Sequence, residues 1–471
     1  MQKPSVPQGT RDFAPAVVRK RQYIFNTLKT MFERYGFQPI ETPAMENLET
    51  LMGKYGEEGD RLIFKILNNG LHEKKDKARN TLMEEWEKVT SRSYSSTAVT
   101  ERALRYDLTI PFARFVVMNQ NDIAFPFRRY QMQPVWRADK PQSSRYREFW
   151  QCDADIVGSN SLINEAELLH IYCGAFDQLK VPVAVKVNSR KMLAGLAELC
   201  GAPEKMMEIT IALDKLDKIG WTGVEKELTE RGIEETGRNT IHRIIQTTGT
   251  NAEKLVAFGE IMQASEIGKA GVEEIKKTLD YYAALGGNTE HQLKVDISLA
   301  RGLNYYTGII VEVVCTDPNG AVGSIGGGGR YDDLTGLFGL KGISGVGISF
   351  GVDRIYDVLQ KLDLFPAHLD SGAKIFILNL GGENEIYGLS LLRKIREAGL
   401  NAEMYADAAK FDKQMKYANK RGFAYVIIPG DSEREQNKVS LKFFLTGQQQ
   451  LVGIDECVNV LKIAEQNNMN A

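Results

Sequence analysis

Two blocks of strand-like sequence rich in arginine, aromatic and glycine residues, Phe125 to Val157 and Leu293 to Leu359, flank a long stretch of glycine-broken helical pattern, Val183 to His291. That middle stretch holds charge-rich segments such as EKELTERGIEETGRN and few groups suited to catalysis. A chain built this way must bring the two outer blocks together to make one site. The arrangement predicts a single catalytic domain interrupted by a helical insertion domain.

Length agrees with several domains, since 471 residues exceed what one hydrophobic core organises. With 59 basic against 61 acidic residues the formal charge is -2, so any polyanion must be met by a local basic strip. Five cysteines form no CxxC pair and imply a reducing compartment, with the cytoplasm as the expected location. The five histidines show no zinc-ligand spacing, so no protein-held metal site is expected. No apolar run approaches the ~20 residues of a membrane span, and MQKPSVPQGTRDFAP lacks a signal peptide's apolar stretch.

Apolar residues from Ile24 to Tyr35 recur at helical spacing before Gly36, which predicts an amphipathic helix over 18–35. Phe37 to Pro43 reads as an extended edge or interface strand because its two prolines exclude helix. The polar segment 71–99 reads as a surface insertion. After Pro366 strands and helices alternate (AKIFILNL, a helix near 386–395, a strand near 402–405, a helix near 413–420, AYVII), which predicts a parallel sheet. The expected domains are thus 1–182 and 292–366 for the catalytic part, 183–291 for the insertion and 372–471 for a separate α/β domain. The fold class is α/β, with a mostly antiparallel catalytic sheet flanked by helices.

Arg137 in PVWRADKP, Arg145 in SSRYREFWQCD, Arg301 in SLARGLNYYTG and Arg354 in GVDRIYDVL supply fixed guanidinium forks that could offset the charge of a carboxylate attacking a phosphate. ATP is the natural candidate substrate. No G-x-x-x-x-G-K-[ST] is present, and both glycine-rich segments miss G-x-G-x-x-G because Tyr331 and Phe350 occupy the last position. Taken singly, the Tyr305–Tyr306 pair suits a core, the Gly326–Gly329 run suits a turn, and Cys152 suits packing better than nucleophilic chemistry. Lys413, Lys416 and Lys420 suit the wet face of a helix.

Taken together and in order, the segments GFQPIETPAMENLE, FRRYQMQPVWRADKPQSSRYREFWQCDADIVG and GISFGVDRIYDVL resemble motifs 1, 2 and 3 of class II aminoacyl-tRNA synthetases. ARGLNYYTG, GGGGRYDDL and LRYDLTIPFAR resemble the segments that distinguish the histidyl-tRNA synthetases within that class. The resemblance covers nearly the whole chain. It implies ATP-dependent ligation of L-histidine to tRNA(His) through a histidyl-adenylate, with ATP and Mg²⁺, a homodimer, and an anticodon-binding C-terminal domain.

Carried over position by position, the resemblance makes Arg301 and Arg137 catalytic, with Arg301 near the α-phosphate and the histidine carboxylate. Arg137, Asp139, Arg145 and Arg354 would bind ATP, and Arg145 could also meet the tRNA acceptor end. Asp107 and Thr109 would hold the α-amino group, Gln151 and Asp155 would orient the substrate, and Tyr305, Tyr306 and Tyr331 would line the imidazole side. Gly326–Gly329 would allow close backbone approach and positive φ before Arg330 and Tyr331. Asn304 stands where the family commonly has aspartate, and Asp139 where it often has glutamate. A histidine-sensing, non-catalytic relative is the alternative; such relatives typically lack the C-terminal domain and the catalytic arginines, and this chain has both.

Overall fold

The structure is a computed structural model that describes residues 3–469 except 92–94, 143, 301–304, 367–368, 370, 371–373 and 445, with the side chains of 57, 58 and 466–469 also left aside. The chain divides into two compact units, Met1–Asp12 with Ile24–Leu364, and Phe13–Tyr23 with Phe365–Ala471.

The first unit is built on an eight-stranded sheet in the order Gln38–Pro39, Phe127–Trp136, Glu148–Val157, Gly345–Gly351, Ser324–Tyr331, Ile309–Cys315, Val183–Ser189, Leu293–Val295. Only the outermost pair at each end is parallel. The five pairs between them are antiparallel. The two chemistry-rich blocks therefore meet at the centre: Gln151 lies opposite Gly351, Asp153 opposite Ser349 and Asp155 opposite Gly347.

Alternation gives this sheet two faces. Cys152, Ala154 and Ile156 point with Ile348 and Phe350 into a buried layer. Ile24, Leu28 and Phe32 of the helix Pro15–Arg34 are buried there too, and Phe32 packs 5.5 Å from Tyr130 and 5.8 Å from Phe350, ring centre to ring centre. The helix Ile163–Gln178 adds Tyr172, 4.6 Å from Phe350. Gln151, Asp153 and Asp155 are left on the opposite face.

Val183–Ser189 is a strand of the large sheet, so the run of helices that follows starts at Arg190, later than the boundary expected from composition, and ends at Ala284. Its helices are set by local signals, such as the reciprocal box between Thr250 and Glu253 that opens Asn251–Ile261. The polar segment joins two strands, Lys65–Ile66 and Arg102–Leu104, which pair antiparallel, and its helix Asp76–Ser91 buries no side chain.

In the second unit a five-stranded sheet runs Ala402–Met404, Ile375–Ile377, Tyr425–Ile428, Lys438–Phe443, Gln449–Gly453. The first three strands are parallel, as the alternating pattern predicts. The last two strands, which the alternating pattern does not cover, pair antiparallel. Only five residues separate Lys438–Phe443 from Gln449–Gly453, too few for the crossover that a parallel pair needs.

Candidate active site

The open face of the large sheet carries a cavity of about 310 Å³. Its floor includes Gly326, Gly327 and Gly328. These glycines form a regular strand paired on both sides, and none has positive φ, so neither the turn nor the left-handed backbone expected from sequence is present. The physical reason is crowding. A Cβ on Gly328 would lie 2.2 Å from the Gly347 carbonyl oxygen, and one on Gly329 2.7 Å from that of Ile309. Strand propensity yields here to tertiary packing.

Nine residues expected from sequence line this cavity: Asp107, Thr109, Arg137, Asp139, Arg145, Gln151, Tyr305, Tyr306 and Arg354. Asp155 and Tyr331 do not. Both are buried, and the Tyr331 hydroxyl donates to Asp155 Oδ1 at 2.6 Å. Arg301 and Asn304 lie outside the described residues.

The cations hold fixed postures. Arg137 Nε donates to the Tyr106 carbonyl at 3.1 Å, and its guanidinium sits 4.3 Å from the Tyr106 ring centre and 5.2 Å from that of Phe149. Arg354 donates to the carbonyls of Ser324 at 2.6 Å and Ser144 at 3.2 Å. Arg145 pairs with Asp139 at 2.8 Å. Such second contacts fix a fork before any ligand arrives.

Asp107 and Asp153 also line the cavity, and Asp155 is buried two residues beyond Asp153 on the same strand. Asp107 precedes the helix Thr109–Met118; its Oδ1 accepts from Tyr55 Oη at 2.9 Å and Ile110 N at 3.2 Å, while its Oδ2 is buried with no hydrogen-bond partner. Burial raises the Asp107 carboxyl above its usual range, opposed by the Ile110 N–H and Arg137. Asp153 is raised to about 7, by burial first, with Arg129 opposing and Asp155 adding to the rise. Asp155 is raised by burial against the pull of Arg129 and Tyr331. Arg129, fully buried, approaches Asp155 Oδ2 to 2.7 Å as an ion pair outside hydrogen-bond alignment.

Asp153, Ser349 and Glu312 line the cavity and were missed from sequence. Asp153 was within reach of it: Gln151 and Asp155 were singled out, and period-two alternation puts the residue between them on the same face. Ser349 and Glu312 carry no such local signal; they become neighbours only through pairing across the sheet.

One cavity thus brings arginines, suited to phosphates, together with carboxylates and aromatic rings, suited to a cationic or N–H-bearing small molecule. A family model described as histidyl-tRNA synthetase matches residues 9–74 and 87–355, and one described as anticodon binding domain matches 374–463. The chain is 50% identical to the histidine–tRNA ligase of Christiangramia forsetii over 98% of its own length and 100% of the relative's. It is 50% identical to that of Phocaeicola vulgatus over 98% and 99%. The crystal structure of histidyl-tRNA synthetase from Nostoc sp. PCC 7120 superposes with a TM-score of 0.82 at 29% identity, covering 98% of this chain and 100% of that one. The order of the motifs, the split sheet that unites them and these matches carry one conclusion: the chain belongs to the histidyl-tRNA synthetase family.

Proposed function

We infer that the chain ligates L-histidine to tRNA(His) at the expense of ATP, in two steps at the cavity described above. In the first, a histidine carboxylate oxygen bonds to the α-phosphorus of ATP as the bond to pyrophosphate breaks. In the second, a terminal ribose hydroxyl of the tRNA bonds to the carbonyl carbon, its proton is released, and AMP leaves. The observation that carries this reading is the presence of arginines, carboxylates and tyrosines in the lining of one cavity on a chain of this family.

The residue roles follow from charge. Arg137 and Arg354 offset the phosphates, helped by Arg145 and Asp139, because donors already oriented need no reorganisation as negative charge develops. Arg301 completes that set in this reading. The unpartnered Oδ2 of Asp107, with Thr109 beside it in the cavity wall, suits the α-ammonium group. Tyr305 and Tyr306 supply flat walls for the imidazole ring.

Among the described residues no group of three or more acidic, histidine or cysteine side chains is placed to hold a metal ion. Mg²⁺ is assigned to the nucleotide in this reading, entering as the ATP complex. The second unit, which the anticodon-binding family model matches, is assigned to the anticodon end of the tRNA. The short strand Gln38–Pro39 at the sheet's margin supports a homodimer formed along motif 1. Placement in the cytoplasm rests on the translation role. Among the described residues no helix is long and apolar enough to cross a membrane.

The deciding experiment is amino-acid-dependent exchange of pyrophosphate into ATP, run with all twenty amino acids on the intact protein and on Arg301→Ala. Exchange with histidine alone, reduced by about 10²- to 10³-fold in the variant, is the expected result. Histidine binding without any exchange would instead favour the sensor reading.

A further inference from the structure

We propose that Arg11, which does not itself line the cavity, is a positioning residue for the nucleotide: it clamps Tyr146 to Asp353 and so sets the spacing of the two walls that carry Arg145 and Arg354. This assignment rests on the histidine-ligating reading above and adds to it a residue from a segment that precedes all the motifs.

The segment 7–11 runs against the residues that lead into the strand Glu148–Val157. The Gly9 carbonyl accepts from Arg147 N at 2.9 Å and from Glu148 N at 3.4 Å. Only glycine suits that approach: its φ is +85°, and a Cβ would lie 2.8 Å from Arg147 Cγ and 3.0 Å from Arg147 Cβ. Two residues on, the Arg11 guanidinium carbon stands 3.3 Å from the centre of the Tyr146 ring, and Arg11 Nη2 pairs with Asp353 Oδ1. Asp353 is buried in the first turn of the helix Val352–Lys361, and its other oxygen accepts from Trp150 N at 2.8 Å. The Tyr146 hydroxyl donates to Asp357 Oδ2 at 3.2 Å, one turn further along the same helix.

These contacts fall beside the phosphate-side cations on both walls. Tyr146 follows Arg145 and Asp353 precedes Arg354, and all four line the cavity. The walls also meet where Arg354 Nε donates to the Ser144 carbonyl at 3.2 Å. Arg11 adds a tie of another kind, an ion pair on one side and a cation over an aromatic face on the other. A flat guanidinium makes both at once, and an ammonium group does not. Without it Asp353 stays buried with one partner fewer, and the Tyr146 ring loses the group stacked on its face. Oriented donors act on developing negative charge without reorganising, so a shift of either wall is felt first by the nucleotide. Asp107, Thr109, Tyr305 and Tyr306, on the histidine side in this reading, are carried by other segments.

The test measures ATP–pyrophosphate exchange by the intact protein, taking kcat/KM for ATP and KM for histidine, in wild type, Arg11→Ala, Arg11→Lys, Tyr146→Leu and the Arg11→Ala/Tyr146→Leu double variant. Arg11→Ala is expected to lower kcat/KM for ATP by about 10- to 100-fold, the scale of a small misplacement of binding groups. KM for histidine should stay within about twofold, since a general loss of structure would move both substrates together. Arg11→Lys keeps a cation for Asp353 without a flat face for Tyr146, secures a folded protein for comparison, and should show an intermediate loss. The double variant should be no worse than the poorer single one, because the two side chains act through one contact. Parallel losses for both substrates, single losses that multiply in the double variant, or full activity of Arg11→Lys overturn the assignment. So does an Arg11→Ala protein with a lower melting temperature and unchanged kinetics. Wild type that shows no histidine-dependent exchange would defeat the parent reading, a result distinct from these.

Discussion

Tyr331 donates its hydroxyl to Asp155 Oδ1 at 2.6 Å while Arg129 faces Oδ2 at 2.7 Å, and all three side chains are buried. The carboxylate is held from two strands at once, since Tyr331 ends Ser324–Tyr331 and Arg129 lies on Phe127–Trp136. The relationship makes the back of the pocket a rigid wall and gives it a measurable stability.

Truncating Arg129 should be among the most damaging single changes in the first unit. Arg129→Leu leaves Asp155 buried without its cation, a loss of about 3–5 kcal/mol. Tyr331→Phe removes one hydrogen bond to a charged group and should cost about 1.5–3 kcal/mol. Denaturant midpoints for the two variants should fall in that order, and equal midpoints would contradict the ion-pair account.

The two neighbouring glycines at the cavity floor should behave differently. Gly328→Ala forces a methyl group against the Gly347 carbonyl at 2.2 Å and Ile348 Cα at 2.9 Å, both backbone, so about 1–3 kcal/mol of stability should be lost. Gly327→Ala meets nothing nearer than 3.4 Å and should fold normally. Its methyl group instead adds bulk at the cavity lining, so the expected effect is a higher KM for substrate at an unchanged melting temperature.

Arg137 is expected to resist conservative replacement. Its guanidinium lies over the Tyr106 ring at 4.3 Å and donates to the Tyr106 carbonyl, a planar geometry that lysine does not reproduce. Arg137→Lys should lower kcat/KM for exchange by about 10²-fold or more, close to the effect of Arg137→Ala. Near-complete rescue by lysine would mean that charge alone suffices.

The buried acid Asp153 should give stability a particular pH dependence. Its carboxyl ionises near 3.8 when unfolded and is raised to about 7 in the fold, chiefly by burial. Between those values the folded state binds more protons than the unfolded one, so this group's contribution weakens as pH climbs from about 4 to about 7 and then levels off. Asp153→Asn removes the titration. The variant should melt above wild type at pH 8, and the advantage should shrink at pH 5; an advantage that grows on acidification would contradict the raised carboxyl.

Much of this was legible from residue order. The long helix showed in the spacing of Ile24, Leu28 and Phe32, and the alternating C-terminal elements showed in their period. The arginine-bearing motifs carried the family because each of them is a local string. Those readings succeed because helix and strand periodicity are properties of neighbouring residues.

What the tertiary structure alone decided is which members of those strings reach the cavity. Gln151, Asp153 and Asp155 are equivalent by alternation, yet they differ in fate because Gly351, Ser349 and Gly347 lie across from them, nearly two hundred residues away in sequence. Tyr331 then closes over Asp155 and leaves Asp153 open. The glycine run likewise reads as a turn in isolation and is a flat central strand in place, because the carbonyls of Ile309 and Gly347 leave no room for a side chain. Periodicity assigns a face; only the register of distant strands, and the bulk of what they carry, assigns a neighbour.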